Sequence, residues 1–125
     1  MEHPAELALE IEAPSEAMVF SEALAAYAEL LGDARGRAVT RRIELTEEDR
    51  AALLAEWLDE LVYLSEVEQF VPERVTSLEL DGAGLQATVR GRRGRPRPLV
   101  KAVTRHRLEL RPEDDGWFAR VVLDV

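Results

Sequence analysis

The sequence predicts an α+β domain in which two amphipathic helices pack on a largely antiparallel β-sheet, and three observations carry that expectation. Apolar residues recur at helical spacing in two stretches of the first half, each with capping residues at its ends. Alternation of period two marks the start of the chain and most of residues 76–125. The resulting order of strand, helix, strand, helix and four strands gives a two-layer domain with both helices on one face of the sheet.

Leu7, Leu9 and Ile11 alternate with Glu6, Ala8, Glu10 and Glu12, as in a half-buried strand, and Pro14 ends it. From Ser15 to Leu31, Phe20, Leu24, Tyr27 and Leu31 line one helical face, with Ser15 suited to cap the start and Gly32 the end. Arg37 to Leu45 reads as a second strand. Thr46-Glu-Glu-Asp49 then resembles a capping box that places three acids in a first helical turn. In the helix that follows, Leu54, Trp57, Leu58, Leu61 and Leu64 form a single stripe. Each such side chain contributes roughly 1.5–3 kcal/mol when buried, so Trp57 reads as core. After Pro72, Thr76, Leu78 and Leu80 form one arm of a hairpin and Leu85, Ala87 and Val89 the other, joined by Asp81-Gly-Ala-Gly84. Gly91, Gly94, Pro96 and Pro98 predict a loop from Arg90 to Pro98, with its five arginines off the sheet. Leu108 and Leu110 begin another strand. In the last, Trp117, Ala119, Val121, Leu123 and Val125 face one way, and Phe118, Arg120, Val122 and Asp124 the other.

The chain of 125 residues fits one domain spanning 1–125, and it contains no cysteine. Thiolate metal sites, disulfides and cysteine nucleophiles are thereby excluded. No apolar run approaches the roughly 20 residues that span a bilayer, and the first residues lack a signal-peptide pattern, so a soluble cytoplasmic protein without membrane association is expected. The net charge of −9 is unevenly distributed: residues 1–70 hold 17 acids against 5 bases, whereas eight arginines and Lys101 between Arg90 and Arg111 face only Glu109. A basic end on an acidic body suits a charged partner, including RNA through Arg90 to Arg107, or is a loop with no partner.

At the end of the sequence, Asp124 and a terminal carboxylate on Val125 would be neighbours. Such a pair suggests either a frayed, solvated end or a site for a hard cation. If the first and last strands adjoin, Glu6 and Asp124 lie opposite each other on one face, where unrelieved like charges destabilise the sheet. Glu6 also belongs to a row with Glu10 and Glu12 that reads equally well as a solvated acidic face. His106, at the start of a strand, reads as a surface histidine, and Gly91-Arg-Arg-Gly94 lacks the lysine and helix of a phosphate loop. No serine, histidine and acid spacing suggests a triad, and a hydrolase built on Glu6, His3 and Asp124 lacks a nucleophile or a water-activating metal triad.

Several blocks in order, Trp57-Leu-Asp-Glu-Leu-Val-Tyr-Leu64, Lys101-Ala-Val-Thr104 with His106, and Asp115-Gly-Trp-Phe-Ala-Arg-Val-Val-Leu-Asp-Val125, resemble the archease family, as does the opening Glu2-His3-Pro-Ala-Glu6 more weakly. The resemblance covers nearly the whole chain. It implies a non-catalytic activator of the RtcB-type RNA ligase of tRNA splicing, promoting that ligase's guanylylation and turnover. It further implies a divalent cation, calcium, at Glu6, Asp124 and Val125, with partner contacts from Lys101, Arg105, His106 and His3. Glu6 stands where the family has aspartate, Pro4 replaces threonine, and Arg105 replaces an aromatic residue. The extra methylene of Glu6 suits the flexible coordination of calcium better than the near-octahedral demands of magnesium. The alternative from the residues alone is an RNA-binding module without a ligase-activating role.

Overall fold

The computed structural model describes residues 5–96 and 100–125. Six strands and two helices follow in the order β1 (Glu6–Ala13), α1 (Glu16–Leu31), β2 (Ala38–Thr46), α2 (Arg50–Val67), β3 (Phe70–Asp81), β4 (Gly84–Arg93), β5 (Ala102–Glu113) and β6 (Gly116–Asp124). The α+β architecture matches the expectation, with one refinement. The strands form two three-stranded antiparallel sheets, β1-β6-β5 and β2-β4-β3, rather than one. Each sheet grows from a hairpin, β3-β4 or β5-β6, whose second strand takes an earlier strand on its other side. The segment between the hairpins carries Gly94, whose amide still donates to the Gln69 carbonyl at 2.8 Å, and then Pro96, which has no N–H for a ladder; there the chain leaves one sheet for the other. Pro72 and Pro112 both lie in outer strands, where a missing N–H costs least.

The helical stripes meet the inner faces of the sheets. Phe20, Leu24 and Tyr27 of α1 and Leu54, Trp57, Leu58 and Leu61 of α2 are buried with Val89, Val121 and Leu123. The Phe20 and Trp57 rings meet edge to face, 6.4 Å between centroids. The indole Nε1 of Trp57 donates to the Phe20 carbonyl at 2.9 Å, which pins the helices together and fixes Trp57 as core. Ser15 caps α1 by accepting from the Met18 amide, and Gly32 closes it at φ +78°, a conformation that side-chain-bearing residues avoid.

Three local expectations are corrected. The cap of α2 is Asp49, which accepts from the Ala52 amide at 2.9 Å, and no acid occupies the first turn. Thr46 is unavailable as a cap because β2 continues through it, paired with Gly84. Arg90, Arg92 and Arg93 lie in β4 and not on a loop. Gly91 is no breaker there: a Cβ on it would stand 2.2 Å from the Val71 carbonyl oxygen and 2.7 Å from the Phe70 ring, so the bare backbone is what lets that ring seat against the strand. The fifth strand starts at Ala102, ahead of Leu108, and reaches that point through a bulge between Thr104 and Glu109.

Candidate functional site

Alternation decides which way each carboxylate points. Leu7, Leu9 and Ile11 turn toward the core, so Glu6, Ala8, Glu10 and Glu12 turn outward and are exposed. On β6, Val121 and Leu123 turn inward, and Asp124 turns outward. The Val125 amide donates to the Ala5 carbonyl at 3.0 Å, and this bond sets the register that puts Glu6 directly opposite Asp124. Because residues 5 and 125 share the hydrogen-bonded position, Glu6 and Asp124 occupy the non-hydrogen-bonded one, in which opposing side chains approach most closely. On the other flank Ala102 faces Asp124, and the Lys101 amide donates to the Asp124 carbonyl at 2.7 Å.

On the rest of this outer face Glu10 is ion-paired, whereas Glu6 and Glu12 are exposed without an ion-pair partner among the described residues. Arg120 ties Glu10 at 3.7 Å and Glu109 at 3.0 Å. Arg111 bonds both Glu109 and Glu113, which raises its pKa and holds it charged, and both guanidiniums lie over the Phe118 ring. Between this network and the Glu6–Asp124 pair lies the row Ala8, Val122 and Thr104, so the two are four residues, or roughly 13 Å, apart along the strands. Among the described residues, neither Glu6 nor Asp124 has a cationic side chain within ion-pair distance. The parity of the strands made their approach foreseeable, whereas the pairing of Glu10 with Arg120 needed the register.

The chemistry of this pair is that of a hard-oxygen patch. No group of three or more His, Cys, Asp or Glu side chains that could hold a metal occurs among the described residues. Two side-chain carboxylates supplemented by main-chain oxygens and water suit calcium, which accepts six to eight oxygens in flexible geometry, and do not suit tetrahedral zinc.

Of the partner-binding candidates, Lys101 is exposed beside Asp124. Arg105 and His106 are elsewhere, in the β5 bulge. Arg105 reaches α2, where its Nη2 meets Asp59 Oδ2 at 2.9 Å, and the His106 amide donates to Thr104 Oγ1 at 3.0 Å. His3 and Arg97 lie outside the described residues. The basic run from Arg90 to Arg107 is divided, with Arg90, Arg92 and Arg93 on one sheet and Lys101, Arg105 and Arg107 at the other. Sequence reasoning missed a cavity of about 390 Å³ lined in part by Tyr27, Leu31, Ser65 and Gln69. There the Tyr27 hydroxyl donates to Ser65 Oγ at 2.9 Å, and burial pushes its pKa up to about 12.

Fold and site together define a small twin-sheet α+β protein that presents an uncompensated carboxylate pair where its first and last strands meet. Residues 1–125 match the model of the archease protein family (MTH1598/TM1083). Protein archease of Methanothermobacter thermautotrophicus is 36% identical over 117 residues, covering 86% of this chain and 83% of that protein. Protein archease of Archaeoglobus fulgidus is 30% identical over 132 aligned positions, covering 100% of this chain and 96% of that one. The solution structure of Methanobacterium thermoautotrophicum protein 1598 superposes with a TM-score of 0.74 at 31% identity, covering 100% of this chain and 96% of its own. The crystal structure of an archease, described as a possible chaperone, from Thermotoga maritima gives 0.68 at 24% identity, with 100% and 98% covered, and shares the fold. The chain belongs to the archease family. No helix among the described residues is long and apolar enough to cross a membrane.

Proposed function

We propose that this protein is a non-catalytic accessory factor that activates an RtcB-type RNA ligase in the cytoplasm, promoting its guanylylation and turnover in tRNA splicing or RNA repair. The observation that carries this reading is the direct opposition of Glu6 and Asp124, two carboxylates without a cationic partner at the junction of β1 and β6. Glu6, Asp124 and main-chain oxygen at Val125 would hold a calcium ion. When bound, that ion supplies a hard positive charge able to meet phosphate or carboxylate oxygens.

The side chains do the positioning. Lys101, fixed through its amide to Asp124, offers a point charge to nucleotide or ligase phosphates beside the pair. His106, with His3, serves as a partner contact, as does Arg105 on exchanging its exposed Asp59 partner for a ligase group; Arg105 and His106 belong to the β5 bulge. Activation follows if this surface binds the guanylylation-competent ligase more tightly than the resting one, because a partner shifts an equilibrium only by its differential affinity. The possible-chaperone description of the Thermotoga maritima relative fits such preferential binding of one partner conformation.

The test is single-turnover guanylylation of an RtcB-type ligase with GTP, with and without this protein. The expected result is a faster rate with wild type and loss of that gain in Asp124→Ala. No gain from wild type, or an undiminished gain from the variant, rejects the reading.

A further inference from the structure

The outer face of the β2-β4-β3 sheet carries a second charge arrangement, opposite in sign. On β4, Leu85, Ala87, Val89 and Gly91 turn to the core, and Gln86, Thr88, Arg90 and Arg92 turn away from it. The register sets Thr40, Arg90 and Arg74 in one row across the three strands, and Arg42, Thr88 and Ser77 in the next. Arg74 and Arg90 are exposed direct cross-strand partners. Like charges so placed repel, and among the described residues neither guanidinium has an ion-pair or hydrogen-bond partner. Bulges on both sides, between Pro72 and Arg74 and between Val75 and Ser77, bracket the pair.

Nearby carboxylates do not cancel it. Glu44 is engaged by Arg42 and Glu73 by Arg92, each at 3.5 Å, and Glu79 lies opposite Gln86, beyond the Thr88 row. Hydroxyls of Thr40, Thr76, Ser77 and Thr88 surround the arginines, and Thr76 Oγ1 donates to the Thr88 carbonyl at 3.2 Å. The large apolar side chains exposed among the described residues, Met18, Tyr63 and Val67, are all on the helices.

We propose that this face binds the sugar-phosphate backbone of a single-stranded nucleic acid, with Arg74 and Arg90 straddling one phosphate. Phosphate matches the planar guanidinium fork, and the hydroxyls supply the kind of side-chain contact that commonly positions a backbone. A protein partner would need an apolar centre to its interface, which this face does not offer. The site is independent of the carboxylate pair at β1 and β6. It also differs from the loop expected from sequence, because Arg74 comes from outside the run from Arg90 to Arg107 and Arg90 lies within a strand.

Fluorescence anisotropy of a labelled uridine 12-mer, titrated with full-length protein at several salt concentrations and without ligase, tests this inference. Wild type binds, and log affinity falls with log salt at about 0.7 per neutralised phosphate. Arg74→Ala with Arg90→Ala weakens binding at least tenfold and flattens the slope. Arg90→Glu also abolishes binding yet raises the melting temperature, since it places a carboxylate opposite Arg74, and so separates lost contact from lost fold. Arg105→Ala and Asp124→Ala leave binding intact. No binding by wild type, unchanged affinity in the double variant, loss of binding in Arg105→Ala, or equally effective competition by polyglutamate would overturn the proposal.

Discussion

If Glu6 and Asp124 hold calcium as proposed, replacing Glu6 by glutamine should have opposite effects on stability with and without that ion. Without a cation, two carboxylates face each other at the closest type of cross-strand position, and removing one charge relieves a repulsion of about 0.2–1 kcal/mol. Unfolding entropy of about 2.1 cal/mol/K per residue gives a chain of this size about 260 cal/mol/K, so 1 kcal/mol corresponds to about 4 °C. Glu6→Gln therefore melts about 1–4 °C above wild type in chelator. Calcium at about 100 times its dissociation constant stabilises wild type by about 2.7 kcal/mol, or about 10 °C. The variant loses most of that increment, and the order of the two melting curves reverses. Differential scanning calorimetry in chelator and in calcium reads both effects. A variant that melts below wild type in chelator would show that the carboxylates do not repel, and equal calcium shifts in both proteins would show that Glu6 holds no ion.

Other perturbations probe the frame. Gly91→Ala forces a Cβ against the Val71 carbonyl and Phe70 ring and costs about 1–3 kcal/mol in urea unfolding, whereas Gly82→Ala, with nothing within 4 Å, stays within about 0.5 kcal/mol of wild type. Asp49→Ala removes the α2 cap and costs about 1 kcal/mol, and Thr46→Ala leaves the helix content measured by circular dichroism unchanged. Leu61→Ala opens a hole in the fully buried core and lowers stability by about 2–5 kcal/mol. The Tyr27 phenol has its pKa raised from 10.0 to about 12, so the folded state retains a proton that the unfolded state loses first. Its contribution is fully present below pH 10 and disappears as pH rises through about 12; denaturant titrations at pH 8 and 11 should show a drop in wild type that Tyr27→Phe reduces.

Much of this arrangement was legible in the sequence because parity and period are local properties. Once Leu7, Leu9 and Ile11 face inward, Glu6 must face outward, and the same holds for Asp124 beside Leu123. The helix stripes and the Ser15 and Gly32 caps were legible for the same reason. What escaped was set by distant partners. Gly91 breaks a strand by propensity but is required in this one by the Phe70 ring, which comes from 21 residues earlier. Thr46 has the chemistry of a cap, and its pairing with Gly84 claims it for β2. The bulge from Arg105 to Leu108 follows from the mismatch between β5 and β6, with Arg107 at φ +60°, and no periodicity marks such an insertion.

Charge counted along the chain also misleads in an instructive way. The run from Arg90 to Arg111 looks like one basic block, yet Arg111 at its end is bound by Glu109 and Glu113 and stacked on Phe118, within 4.8 Å of the ring centroid. Arg105 is held by Asp59, and Arg92 by Glu73. Arg74, from between the acidic and basic stretches of the sequence, is brought by strand pairing to Arg90 and left without a counter-ion among the described residues. Exposed ion pairs contribute little to stability, but they do decide which charges remain available to a partner. Glu6 with Asp124 on one sheet and Arg74 with Arg90 on the other are like-charged cross-strand pairs without an ion-pair partner among the described residues, each made by register between residues distant or unremarkable in sequence. Register, more than net charge, therefore determines where a cation and a polyanion could each be received on so small a protein.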